Sequence, residues 1–422
     1  MNSQLYQTKS FALPYFIFFC GILYYCFAYL LRIYPSVIHE PLVQELNLNA
    51  GQYGLLASFY YFAYAPMQIP VGVLVDKYGV RKSLLGACVF SIFGSWLFAS
   101  SFEYSLVALG RFFVGFGCAF SYVSTLKIAT IWLPKRVLAT AAGCATSGGM
   151  IAAILTNYYF EKSLSYYGFS FTEFIPVWIG LLLFAVIYLF IIEPEQSSDT
   201  EGNDHQAAVS FAELWVYLKQ IMLSKQIWYI GLVGAFLYIP SSVFLDVWAD
   251  PYLINVKKLT LFQATLAKNV MLSGWIISSL MTGVISDYFG NRRGPLIVAS
   301  VISMLMACII LYGPHVQYSV LILMMFLFGV GCGPHPLCFI LAKENFDTKV
   351  AGTAISFTNF LIMLGGFVFQ PVLGYILNWI EPGHVGGLSY SAQSYQIAMS
   401  IMPVSLAISI VLVLLIKETY KQ

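Results

Sequence analysis

Long apolar runs alternate with short polar breaks along the whole chain, each run ended by a charge, a proline or a glycine. They predict helices at about 12–37, 51–75, 83–101, 104–128, 138–160, 173–192, 227–249, 262–286, 295–313, 318–342, 350–379 and 394–416. Each run approaches the roughly 20 apolar residues that a helix needs to cross hydrocarbon. One break is different in kind. Residues 193–226 begin EPEQSSDTEGNDHQ, acidic and polar, and fall midway along the chain. They read as a cytoplasmic linker between an N-terminal six-helix half, 1–192, and a C-terminal six-helix half, 227–422. The predicted fold is an all-α membrane protein with twelve transmembrane helices in two halves.

Composition agrees with the pattern. Of 422 residues, 59% are hydrophobic, 17% aromatic and only 9% charged, against about 25% charged in ordinary soluble domains. A soluble enzyme is excluded, and the short breaks leave no room for a large extramembrane domain. The net charge of +2, with no basic cluster outside the loop turns, gives no reason to expect a nucleic-acid partner. The eight cysteines lie inside apolar runs and read as small buried side chains. No metal-ligand spacing, P-loop or catalytic triad is present, so no cofactor is expected.

Lysine and arginine set the expected orientation. One set of flanks holds Lys9, Lys77, Arg81, Lys82, Lys135, Arg136, Lys219, Lys225, Arg292, Arg293, Lys343, Lys349, Lys417 and Lys421, the other only Lys162, Lys257, Lys258 and Lys268. The positive-inside rule then places both termini in the cytoplasm. A first run with one preceding lysine and no small-residue cleavage site reads as a retained helix. A multi-pass protein of a bacterial inner membrane, monomeric in the bilayer, is the expectation.

The halves repeat each other. GVLVDKYGVRK at 72–82 recurs as GVISDYFGNRR at 283–293, pairing Gly72 with Gly283, Asp76 with Asp287, Gly79 with Gly290, and Arg81 and Lys82 with Arg292 and Arg293. VGFGC at 114–118 matches FGVGC at 328–332, and Gly148-Gly149 matches Gly365-Gly366. Duplication implies two pseudo-symmetric halves able to rock about a central cavity. The aspartate at a helix end, beside basic residues and a tight glycine turn, suits a latch built from charge-assisted hydrogen bonds.

This twice-repeated element resembles the signature of the major facilitator superfamily, and the resemblance covers the whole chain. It implies the superfamily's fold and a gating role on the cytoplasmic side for the ten motif residues just paired. It says little about cargo.

Ionisable side chains inside spans are expensive and therefore functional candidates. Arg32 lies late in the first run, with Tyr25 and Tyr29 on the same face. Its guanidinium either snorkels to the outer interface or faces the cavity, depending on where that helix ends. Arg111 lies too deep to snorkel comfortably, among glycines at 110, 115 and 117 that allow close packing. Lys127, near the cytoplasmic end of the same run, is either interfacial or functional. Asp246 lies within about a turn of the repeat counterpart of Arg32; it and Asp250 serve as a cavity acid or as outer-gate or loop residues. His335, bracketed by prolines in GVGCGPHPLC, marks a hinge where the backbone ladder breaks, with a packed neutral ring expected. Tyr29, Tyr60, Tyr61, Tyr64, Thr358, Asn359 and Gln370 are candidate cavity groups.

Arg32 with Ser36, and Arg111 with Gly115, Trp132 and Pro134, resemble paired elements of the anion:cation symporter branch of that superfamily. The resemblance implies that the two arginines bind or sense a carboxylate. Leu31 and Cys118 stand where that branch has an acid and a glutamate. The resulting expectation is a secondary transporter, moving a small carboxylate-bearing solute (amino acid, short peptide or organic anion) by alternating access, with a coupling proton or cation left open. Arg32, Arg111, Tyr29, Tyr64, Asp246 and Asn359 are its expected substrate-binding residues. Efflux of lipophilic cations and siderophore uptake are the alternatives.

Overall fold

The computed structural model describes residues 12–192, 211–314 and 316–420; Lys9, Lys421 and the stretch 193–210 of the expected linker lie outside them. The principal helices are α1 (Ala12–Val37), α2 (Ala50–Met67), α3 (Val80–Ser100), α4 (Tyr104–Cys118), α5 (Leu138–Tyr167), α6 (Phe169–Phe190), α7 (Lys225–Ile239), α8 (Leu261–Phe289), α9 (Arg293–Tyr312), α10 (Tyr318–Cys332), α11 (Thr348–Ile380) and α12 (Ile401–Leu415). All twelve predicted segments are helical, and among the described residues ten are long and apolar enough to cross a membrane. Their exposed faces carry side chains such as Leu182, Leu189, Val284 and Val298. A lipid solvent demands that pattern, and water would punish it.

Several helices are interrupted where the sequence dictates. Val71–Tyr78 follows α2 after Pro66 and Pro70, and Ser121–Trp132 follows α4. Leu337–Glu344 follows α10 after the Gly-Pro-His-Pro break expected near His335. Beyond α7 the chain continues through a π-helical segment, Pro240–Trp248, into Ala249–Asn255. Pro240 has no amide proton to donate, so the ladder slips there.

Part of the expected linker is helical. Residues Phe211–Met222 form a helix with Leu214, Leu218 and Ile221 buried. That spacing is one helical face, hidden by the polar average of the longer stretch.

The repeat is visible in the packing. A Cβ at Gly115 of α4 would collide with the carbonyl of Tyr60 on α2, and one at Gly329 of α10 with the carbonyl of Met271 on α8. Each half thus crosses two helices at the same repeated glycine, backbone on backbone. Between the halves, α2 packs along α11, α5 meets α8, and α1 meets the π-helical segment. The candidate site lies at this seam.

Candidate functional site

The repeated motifs mark one end of the bundle, here the motif end; the opposite end carries the helix His39–Glu45 and the turn at 256–260. A cavity of about 480 Å³ runs from the middle of the bundle toward the motif end, lined from both halves. Six tyrosines (Tyr25, Tyr29, Tyr60, Tyr64, Tyr122 and Tyr238) contribute to its wall, with Trp275, His335, Gln68 and Asn359. Tyr60 and Tyr64 stack at 5.4 Å, and Asn359 donates to Gln68 Oε1 at 2.8 Å, joining α11 to the end of α2. Among the described residues, Arg32 is the one Lys, Arg, Asp or Glu in that lining.

Arg32 stands at the head of the cavity and is 9% exposed. Helix α1 continues five residues past it, so the guanidinium is inside the bundle and not at an interface. Its Nε donates to Asp246 Oδ2 at 2.8 Å, its Nη1 to Tyr238 Oη and its Nη2 to Ser241 Oγ at 3.4 Å. Tyr61 donates to the same Asp246 oxygen at 2.6 Å. The rings of Tyr29, Tyr61 and Tyr238 lie 5.2–5.7 Å from the guanidinium carbon, within cation–π range. One arginine from the first half is therefore tied to one aspartate from the second. The π-helical stretch places that aspartate, and Gln370 of α11 braces the stretch by donating to the Ser242 carbonyl at 2.5 Å.

Arg111 is placed differently from expectation. It is 3% exposed, lies outside the cavity lining, donates from Nη1 to the Leu31 carbonyl at 2.8 Å and sits over the Tyr60 ring at 5.2 Å. Gly115 of α4 lets α2 approach to backbone contact at Tyr60, whose ring lies over the guanidinium. Asp246 is likewise not a free acid across the cavity from Arg32, since the two are in contact, so they do not stand ready as separate poles for a zwitterion. Tyr29, Tyr64 and Asn359 do line the cavity; Gln370 and Thr358 are buried away from it. The tenth helix breaks at His335 as expected, and the ring packs 5.2 Å from Tyr238 and 5.3 Å from Trp275 with its Nδ1 buried and unpartnered.

Counting the flanks puts Lys268 in an outer loop. It is instead 1% exposed within α8, paired with Asp250, with its Nζ 3.5 Å from Ser36 Oγ. Loop counting misses it because it lies two turns inside its helix; the apolar neighbours Ala264, Ala267 and Met271 on the same buried face were the available signal.

The two latches have different partners. In the first, Asp76 pairs with Lys127 at 2.7 Å, beyond α4, Arg81 donates to the Tyr188 carbonyl at 2.6 Å, and Lys82 is exposed. In the second, Arg292 bridges Asp287 at 2.6 Å and Glu344 at 3.2 Å, while Arg293 donates to the Val413 and Leu414 carbonyls at the end of α12. A cation at a helix C-terminus is favoured by the dipole. Gly79 and Gly290 turn with φ of 82° and 60°, values that only glycine adopts freely. A Cβ at Gly72 or Gly283 would meet open space, so neither is demanded by packing in this conformation.

Comparison with known proteins agrees with this architecture. The family model for the Major Facilitator Superfamily matches residues 17–370, and the chain belongs to that superfamily of membrane transporters. It is 22% identical over 373 residues to the probable galactarate/D-glucarate transporter GudP of Escherichia coli (strain K12), covering 81% of this chain and 82% of the relative. It is 23% identical over 366 residues to the gentisate transporter of Corynebacterium glutamicum, covering 83% and 78%. In fold it resembles a bacterial homolog of the human lysosomal transporter Spinster in an inward-facing, unoccupied conformation, with a TM-score of 0.77 at 15% identity over 96% and 97% of the two chains. The chain is a multi-pass membrane transporter and not an enzyme.

Proposed function

We propose that the protein carries a small organic anion by alternating access, binding the anion's carboxylate at Arg32 and its body against the tyrosine wall. The observation that carries this is a single buried arginine at the head of a tyrosine-lined cavity on the seam between the halves. Arginine offers a fork matched to a carboxylate, and the phenols supply apolar faces with hydrogen-bonding tips. Relatives named for galactarate, D-glucarate and gentisate favour an organic acid. Because Asp246 is committed to Arg32, no separate acid waits for an amino group, which argues against amino acids and peptides. Efflux of lipophilic cations is disfavoured by a lining with an arginine and no carboxylate. A volume of about 480 Å³ suits small solutes better than large siderophores.

In this reading the protein resides in a bacterial inner membrane with both termini and the motif end cytoplasmic, so that the cavity opens inward. The motif residues work on conformation, and the segment 193–226 joins two six-helix halves. The test is a thermal-stabilisation screen of purified protein over sugar acids, aromatic acids, amino acids and dipeptides. Organic acids should stabilise the wild type and lose that effect in Arg32→Gln. Stabilisation by lipophilic cations alone would refute the reading.

A further inference from the structure

The walls of the cavity are more selective than its head. We propose that the cargo is an aromatic monocarboxylate whose ring is held between one aromatic wall from each half, and that sugar acids with two carboxylates are poor ligands. The inference rests on the reading of the cavity as an organic-anion site and narrows the class of anion.

Charge sets the number of carboxylates. Among the described residues, Arg32 is the one cation in the lining. Two other buried cations lie outside it and are spent, Arg111 on the Leu31 carbonyl and Lys268 on Asp250. An acid with a carboxylate at each end would set one on Arg32 and, once the halves close around it, leave the other among rings with no cation to meet it. A buried charge without a partner is costly. One carboxylate leaves no such remainder.

Hydrogen bonding sets the body. A sugar acid carries a hydroxyl on each carbon of its chain, and a closed site that recognises it has to answer those groups. The lining holds no aspartate or glutamate to accept from them. Its other polar side chains are largely engaged. Asn359 donates to Gln68, Ser121 and Thr146 donate to the Cys118 and Ala142 carbonyls at 2.7 and 3.0 Å, Tyr25 donates to Tyr29 Oη at 3.5 Å, and Tyr238 accepts from Arg32.

Rings are what the lining offers in quantity, and they form two continuous walls. In the first half Tyr29, Tyr25 and Tyr122 follow one another at 5.2 Å, and Tyr60 and Tyr64 stack with their planes 16° apart. In the second half Tyr238, Trp275 and His335 lie 5.2–5.6 Å from one another, and Phe339 extends the row at 6.4 Å from His335. All of these residues line the one cavity, and Arg32 stands at its head. A flat ring joined to a carboxylate meets both demands at once, its charge on the guanidinium and its faces and edges against rings that favour such contacts. Overall similarity does not make this choice, since identity is 22% to the relative named for galactarate and D-glucarate and 23% to the one named for gentisate.

The experiment is calorimetric titration of full-length protein in detergent at neutral pH with gentisate, benzoate, cyclohexanecarboxylate, D-gluconate and D-glucarate. Gentisate and benzoate should bind at least about tenfold tighter than D-gluconate, which has the charge of benzoate and a polyol body, and D-glucarate should bind most weakly. Benzoate should exceed cyclohexanecarboxylate by about threefold or more, the margin of a favourable ring–ring contact. Tyr64→Leu from the first wall and Trp275→Leu from the second should each lower the ratio of benzoate to D-gluconate affinity by about threefold or more, and Tyr64→Phe and Trp275→Phe should keep it. A merely structural loss would weaken both ligands together and leave the ratio unchanged. D-gluconate or D-glucarate binding as tightly as the aromatic acids, cyclohexanecarboxylate matching benzoate, or an unchanged ratio in either leucine variant would each overturn the proposal while leaving the anion site standing. Failure of all five acids to bind the wild type would remove the anion reading itself, and the proposal with it.

Discussion

Asp246 and Asp250 stand one helical turn apart, both buried, each paired with one cation, yet the cations come from opposite halves of the molecule. Asp246 reaches across the seam to Arg32 of the first half and touches it where the cavity ends. Asp250 is held by Lys268 of its own half, and neither lines the cavity; Lys268 meets the first half through a 3.5 Å contact to Ser36. A pair closed across the seam breaks if one half moves against the other. A pair closed within one half moves with it as a rigid part. Buried charges of identical type thus acquire different uses from their place relative to a single boundary.

The comparison breaks most easily at Lys268. Lys268→Met should leave Asp250 buried without its cation, and its Oδ1 already has no partner. The expected cost is about 3–5 kcal/mol, read as a large fall in melting temperature and in membrane yield. Converting both residues, Lys268→Met with Asp250→Leu, should recover most of that loss, since an apolar pair of similar volume avoids desolvation altogether. Equal damage in the single and double variants would show that the pair does more than satisfy itself.

A smaller and more selective effect is expected at the seam. Arg32→Gln should weaken binding of a carboxylate probe by more than tenfold, consistent with about 2–5 kcal/mol for a truncated buried charge pair. Amidating the probe should cost less in that variant than in the wild type, because the partner is already gone. Arg111→Gln should instead give additive losses, as its guanidinium holds the Leu31 carbonyl and the Tyr60 ring rather than the cavity. The cycle of protein mutation against ligand amidation, run on both arginines, separates recognition from packing. Coupling at Arg111 equal to that at Arg32 would mean the two act together on the anion.

Much of this was legible because apolar length and repetition are one-dimensional signals. All twelve runs became helices, and the repeated glycines at 115 and 329 make equivalent crossings. What stayed hidden depends on which way a side chain turns. Arg32 and Arg111 look alike as lone charges in apolar runs, and only the approach of α1 and α2 to α4 decides that one is sealed into backbone and the other opens on the cavity. Lys268 lay inside a correctly expected helix but was counted with a loop, because a lysine two turns from an end reads as a flank until its neighbours are seen to be buried. Asp246 was placed to within a turn by the repeat; the slipped hydrogen-bond ladder after Pro240, which sets its direction, has no counterpart in hydropathy. The helix Phe211–Met222 was lost in the polarity of its surroundings.

The smallest expected effect concerns pairs that lie far from the seam. Asp76 and Lys127 are 34% and 43% exposed and both belong to the first half, so their attraction is worth about 0–1 kcal/mol and does not touch the cavity. Asp76→Asn should therefore leave equilibrium binding of a carboxylate probe within a few-fold while slowing its exchange across reconstituted vesicles. Asp287→Asn should slow exchange less. Arg292 keeps Glu344 as a second partner, and Glu418 accepts from the backbone amides of Arg292 and Arg293 at 3.0–3.1 Å, pinning that turn independently of Asp287. Distances between spin labels at the motif end, measured alongside exchange, report whether the conformational balance has shifted. A large loss of binding in Asp76→Asn with unchanged label distances would mean that this aspartate acts on cargo, and that distance from the seam is a poor guide to the use of a charge in this protein.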